Sequence, residues 1–420
     1  MAEKLDKHTL KNGMVLLGEQ MEAVESVAFG FMLPAGAARL QEGCCGAANV
    51  IADWIFRGAA DKDSRQLGDA LDGLGLHRAE AVSSSHITIG AALEATNLAK
   101  ALELYQDIIL QAHTKDQHFE LARQLAVERV RSLDDEPRQK VMLKLQEQFY
   151  PPPLGRSTVG TIEDLQALTA PKTRQIARDN FNLSRTIFAV AGKYDFDAVC
   201  AQMENLIQNT EYRIQNTEFG TQNSKLRTQN SKYTHIDNDS AQVHIGLMTE
   251  TVKPGDCNYY NARVAVSVLS GGMSARLFTE VREKRGLCYA VGARYHALKE
   301  AAGIMCYAGT TPEKAQQTVD VIIREFNRLS EGITQEEIDR AKAGLKSSLI
   351  LHSESSSSRA GGIATDYYML GRVRSLDEIK NRIEQTTVDS VLDFLGRKKF
   401  GDFTVVTIGP ESVERSAFSV

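Results

Sequence analysis

Residues 208–235 spell four copies of one seven-residue unit: QNTEYRI, QNTEFGT, QNSKLRT and QNSKYTH. A heptad raises the prospect of a coiled coil, but its apolar positions are too sparse to build a seam. Polar repeats opening on Gln-Asn bury too little apolar surface to offset the entropy of ordering them. The segment reads as a linker near the midpoint of a 420-residue chain. Each flank is long enough to bury a core of its own without a disulfide staple.

The two flanks share a plan. The first opens on a hairpin signal, Asn12-Gly13, followed by MVLLGEQ and the strand pattern SVAFGFML. It closes on RTIFAVAGKYDFDAV (185–199), a strand, a Gly turn and then a helical pattern. The second opens on AQVHIGLMTE (241–250) and closes on DFTVVTIGPESV (402–413), again strand then Gly turn. Between them run helical patterns such as 98–112 and 312–332, with apolar residues at three- and four-residue spacing. These signals predict an α+β protein of two homologous domains, 1–205 and 237–420, joined by a polar repeat linker at 206–236. Each domain is expected to be a mixed, mostly antiparallel sheet with helices packed on one face.

Composition narrows the partners. Lys and Arg number 49 against 54 Asp and Glu, a net charge of −5. That balance offers no basic footprint for nucleic acid. No apolar run approaches the roughly 20 residues that span a bilayer, so no membrane is expected. The N-terminal MAEKLDKHTLKNG lacks the apolar core of a secretion signal, which points to the cytoplasm. The six cysteines form no C-x-x-C pair and read as small, buried, reduced thiols. No two of the nine histidines are four apart; His113 and His118, beside Lys115 and Asp116, read as a solvated turn.

The stretch QEGCCGAANVIADWIFRGAADKDSRQLGDALDGLG (41–75), with Glu42-Gly43 and Phe56-Arg57-Gly58 fixing the register, resembles a known signature. It is similar to the G-x-x-H-x-x-E-H segment of pitrilysin- and insulinase-type zinc peptidases, the inverzincins. LSGGMSARLFTEVREKRGLCYAV (269–291), YAGTTPEKA (307–315), residues 333–360 and YMLGRVRSLDEI (368–379) resemble the same family, so the likeness spans the chain outside the repeats. It implies two homologous α+β domains forming half of a clamshell around a peptide chamber. It also implies an exposed sheet edge near 78–93 that pairs with extended peptide, Glu80 standing where the family usually has Asn.

The resemblance places the zinc ligands and general base at Asn49, Ala52 and Asp53, with the downstream Glu ligand at Arg129, or at Glu128 in the neighbouring register. Asn and Asp four residues apart suit a hard cation, not zinc, which favours His nitrogen and Cys sulfur. Ala52 can take no proton. The segment therefore reads as a helix with a polar stripe of Asn49 and Asp53 and a buried side of Val50, Ile51, Trp54 and Ile55. No metal or cofactor is expected in this chain.

A second group survives. The resemblance implies that an Arg and a Tyr seven residues apart serve a zinc site across the chamber, and Arg282 and Tyr289 keep that spacing in VREKRGLCYAV. A guanidinium and a phenol near a scissile carbonyl strengthen as negative charge grows on its oxygen. The expected function is that of a metal-free subunit of a heterodimeric zinc peptidase, with Arg282 and Tyr289 acting in trans. The partner would be a homologous H-x-x-E-H chain of similar length that carries the zinc, and the substrate a peptide. Two alternatives stand: a non-enzymatic structural or peptide-holding protein, like the core proteins of respiratory complexes, and a homodimer of the isolated chain with a metal site at Asn49 and Asp53.

Overall fold

The computed structural model describes residues 4–181, 183–208 and 233–414. They divide into two compact units. The first takes its residues from Met1–Ser132, Arg156–Gln222 and His352–Val373, the second from Leu133–Gly155, Asn223–Leu351 and Arg374–Val420.

In the first unit lie β1 (Lys4–Thr9), β2 (Val15–Gln20), β3 (Ser26–Leu33), the short pair β4 (Gly58–Ala59) and β5 (Lys62–Asp63), then β6 (His77–Val82), β7 (Ile87–Glu94) and β8 (Ile187–Gly192). Apart from the β4–β5 pair, they form a six-stranded sheet in the order β1-β2-β8-β3-β7-β6. Only β2 and β8 run parallel. Gly13, at φ +96°, makes the hairpin turn between β1 and β2. β8 is buried on both sides: Phe188 and Val190 join the main core, while Ile187, Ala189 and Ala191 face the other way.

The second unit repeats this plan. Its strands are β9 (Tyr233–Asp237), β10 (Val243–Glu250), β11 (Cys288–Ala297), β12 (Ala302–Thr310) and β13 (Thr404–Gly409), in the order β11-β12-β10-β13-β9. β13 and β9 run parallel and every other neighbour is antiparallel. Matching β9 to β2, β13 to β8, β10 to β3, β12 to β7 and β11 to β6 superposes both order and sense, so the α+β duplication holds for five strands, and β1 is without a counterpart among the described residues.

The helices depart from the expected single covered face. Most lie over one face of each sheet, but one more helix lies on the back. In the first unit this is Ser356–Leu370, packed on β2, β3 and β8 through Ala360, Ile363 and Ala364. In the second it is Pro137–Phe149, packed on β10 and β13 through Val141, Leu145 and Phe149. Each back helix comes from the opposite half of the sequence, so the units are not the contiguous stretches 1–205 and 237–420. Of the expected linker 206–236, the ends belong to regular elements: a helix runs to Gln208 and β9 begins at Tyr233. The rest lies outside the described residues.

Among the described residues, no helix is long and apolar enough to cross a membrane. All six cysteines are free; Cys44, Cys288 and Cys306 are buried, whereas Cys257 is exposed.

Candidate functional site

The helix Ala47–Trp54 begins at Gly46, whose φ of +94° admits no ordinary side chain, and a Cβ there would meet Leu165 at 2.7 Å. Val50, Ile51, Trp54 and Ile55 are buried, leaving Asn49 and Asp53 half-exposed as the expected stripe. Trp54 fixes a second helix, Asp116–Ser132. Its indole N–H donates to the Lys115 carbonyl at 3.1 Å and its ring meets Phe119 at 5.1 Å. Ala122 and Ala126 let this second helix come close to the first. Asn49, Ala52, Asp53 and Arg129 consequently line one cleft of about 310 Å³, together with Arg78, Glu80 and Leu125.

Each position carries chemistry unlike that of a zinc ligand set. The Asn49 amide donates to the Thr158 carbonyl. Asp53 receives both prongs of Arg57, at 2.6 and 3.1 Å. Ala52 is nearly buried and holds no acid or base. Arg129 brings a cation, while Glu128 does not line the cleft and pairs with Arg131 at 2.6 Å. Among the described residues, no three His, Cys, Asp or Glu side chains gather as a metal would require. The donors present do not suit zinc.

The two histidines expected in a solvated turn are instead half-buried and hold the backbone beyond the first helix. His113 Nε2 lies 2.7 Å from the Ala60 carbonyl, and His118 Nδ1 lies 3.1 Å from that of Arg57. The expected edge near 78–93 resolves into two strands. β6 is the outermost strand of its sheet, and the backbone turns through Ser83–His86 into the interior strand β7.

Arg282 and Tyr289 form a separate cluster in the second unit. Arg282 lies in a π-helical turn, Phe278–Glu283, and Gly286 at φ +56° ends the helical path. The register of β11 against β12 slips between Cys288 and Ala290, which makes Tyr289 the extra residue of a bulge. π-helical turns and bulges each re-aim a side chain at some cost in regular hydrogen bonding. Here they converge: the Arg282 guanidinium sits 5.0 Å from the centre of the Tyr289 ring and 4.7 Å from that of Phe278. Tyr289 is 80% exposed. Glu280, the nearby carboxylate, is already bound to Lys284 and Arg285, at 2.7 and 2.6 Å. Arg282 thus keeps its hydrogen-bond donors, and Tyr289 its hydroxyl, unspent on the described residues. The family resemblance, with its seven-residue spacing, pointed to this pair, but neither the π-turn nor the bulge has a sequence signature.

Residues 15–162 match the family model Insulinase (Peptidase family M16), and residues 167–345 match the Peptidase M16 inactive domain. The chain is 26% identical over 410 residues to the uncharacterized zinc protease YmxG of Bacillus subtilis, covering 97% of this chain and 98% of that one. It is 24% identical over 410 residues to an uncharacterized zinc protease of Mycobacterium bovis, covering 97% and 94%. Among solved structures, a protease from Helicobacter pylori is similar with a TM-score of 0.86 and 19% identity, over 97% of this chain and 100% of that one. A peptidase M16 inactive domain from Pseudomonas fluorescens gives 0.84 and 18%, over 98% and 99%. A chain of complex III2 from Candida albicans, with Inz-5 bound, gives 0.84 and 19%, over 99% and 100%. These structural likenesses speak to the fold.

Proposed function

Because this chain belongs to the insulinase-type peptidase family M16, we propose that it is the metal-free subunit of a heterodimeric zinc peptidase. Its Arg282 and Tyr289 act on a peptide held at the active site of a homologous H-x-x-E-H partner, which carries the zinc. The observation that carries this reading is the Arg282–Tyr289 pair, its guanidinium half-buried and its phenol exposed, assembled by a π-turn and a bulge and left, among the described residues, without partners for its donors. When water adds to a peptide carbonyl, charge moves onto the oxygen. A fixed guanidinium and a phenol O–H bind that charge more strongly than the neutral carbonyl, which lowers the barrier. The cleft at Asn49, Ala52 and Asp53 supports the same division of labour, since it has lost the base that would activate water.

The test is reconstitution. This chain is mixed with an H-x-x-E-H homologue of similar length, and cleavage of an extended fluorogenic peptide is followed. The mixture is expected to hydrolyse and this chain alone is not. Arg282→Ala or Tyr289→Phe should each lower the mixed rate about 10²-fold or more, as removal of one oxyanion donor does. Unchanged rates in both variants would overturn the trans role.

A non-enzymatic structural or peptide-holding role is the second reading, favoured by the likeness to a chain of complex III2 from Candida albicans. It predicts a stable assembly that binds peptide and hydrolyses none.

A further inference from the structure

The cleft where the family resemblance would put a metal has the opposite charge preference. Among the described residues lining it, the charged side chains are Asp53, Arg78, Glu80 and Arg129. Arg57 neutralises Asp53, and Arg78 pairs with Glu80 at 3.2 Å. Among the described residues Arg129 has no ion pair and no side-chain hydrogen bond, so the cleft they form keeps one uncompensated positive charge. A cation is repelled from such a site and an anion is drawn to it. The planar guanidinium fork matches a carboxylate in particular.

The surroundings narrow the anion. Phe56, Val82 and Ala122 give the cleft apolar walls, and Leu125 stands 49% exposed at its lip, with Leu121 one helical turn before it equally bare. A small inorganic anion would leave these surfaces uncovered, whereas a carboxylate beside an apolar side chain would use them. One rim of the cleft is β6, an exposed edge strand that contributes Arg78, Glu80, Ala81 and Val82. A sheet edge offers unpaired backbone groups to an extended chain.

We propose that this cleft binds a carboxylate carried by an extended peptide, with Arg129 as its fork and an adjoining apolar residue against Leu125 and Phe56. The inference goes beyond the proposed function. It concerns the first unit alone and requires neither a partner chain nor Arg282 and Tyr289.

The test uses the full chain, purified by itself, and the anisotropy of fluorescein-labelled extended Leu/Ser peptides. One pair ends in a free carboxylate or its amide. A second pair, both amidated, carries an internal Glu or Gln. At least one acidic member should bind about tenfold tighter than its neutral twin, the scale of one charge-assisted hydrogen-bonded pair. The pair that shows the gap identifies the C-terminus or the side chain as the source. Arg129→Gln should remove the gap, and Arg129→Lys should restore only part of it. Equal binding of acid and neutral twins, no binding of any peptide, or a gap that survives Arg129→Gln would overturn the proposal. This assay contains no H-x-x-E-H partner and follows no cleavage, so a failure here is distinguishable from a failure of the trans role, which the reconstituted rates report.

Discussion

Arg359 closes a buried ion pair with Glu19. Its Nε lies 2.7 and 2.9 Å from the two carboxylate oxygens, and a terminal nitrogen lies 2.5 Å from one of them. Both side chains are less than a tenth exposed. The pair joins the back helix Ser356–Leu370 to β2 and fixes how that helix sits on the sheet.

Removing one member strands the other charge in a dry environment. Arg359→Ala or Glu19→Ala is expected to destabilise the first unit by about 3–5 kcal/mol, and replacing both with apolar residues by distinctly less. Urea denaturation of the three variants measures this, the double variant lying nearest the parent chain.

His296 gives the second unit an acid-sensitive element. Burial, with Arg294 nearby adding to it, holds its pKa down to about 4 against an ordinary 6.5. Its Nδ1 lies 2.7 Å from the Tyr150 hydroxyl. Between those pH values the unfolded chain binds a proton that the native one refuses, so stability falls as pH drops from 6.5 toward 4. His296→Gln should flatten this part of a stability-versus-pH curve, which thermal melts across the window would show.

Glu337 works in a different window. Burial raises its pKa, but hydrogen bonds and charge from Arg276, together with the backbone N–H of Thr334, more than reverse this and hold it at about 2 against an ordinary 4.5. Its contribution is complete above pH 4.5 and is lost as pH falls toward 2. The difference in melting temperature between the parent and Glu337→Gln should therefore be steady at neutral pH and shrink through that acid range.

Tyr289→Phe should leave the unfolding free energy within about 0.5 kcal/mol of the parent, because the ring is exposed and its hydroxyl has no partner among the described residues. Arg282→Ala forfeits its cation–π contacts with Phe278 and Tyr289, each worth about 0.5–1 kcal/mol. Denaturation of both variants checks this, and a large loss in either would give the pair a structural role.

Strands such as β3 were legible in the sequence because alternation and Gly turns are local: SVAFGFML is β3 to the residue, whereas most of β9 lay inside the expected linker and the expected edge at 78–93 proved to be β6 and β7. The exchange of back helices was not. Val141, Leu145 and Phe149 announce an apolar face at helical spacing, but periodicity says nothing about which sheet that face will cover. At the cleft, register alone led to Asn49, Ala52, Asp53 and Arg129. That Arg57 would occupy Asp53 was missed, although its i,i+4 spacing was a signal that could have revealed it. Arg78 carried none, since it reaches the cleft through sheet order rather than sequence distance.

The exchanged helices also bear on how the molecule can be divided. A cut within the repeats would separate two halves of sequence without releasing two folding units. Each fragment would keep a sheet with a bare back and carry a helix made to cover the other's. The exposed surfaces, Ile187 and Ala189 on one and Val406 and Ile408 on the other, are mutual templates, so the pieces would regain structure by complementation when produced together and aggregate when produced apart.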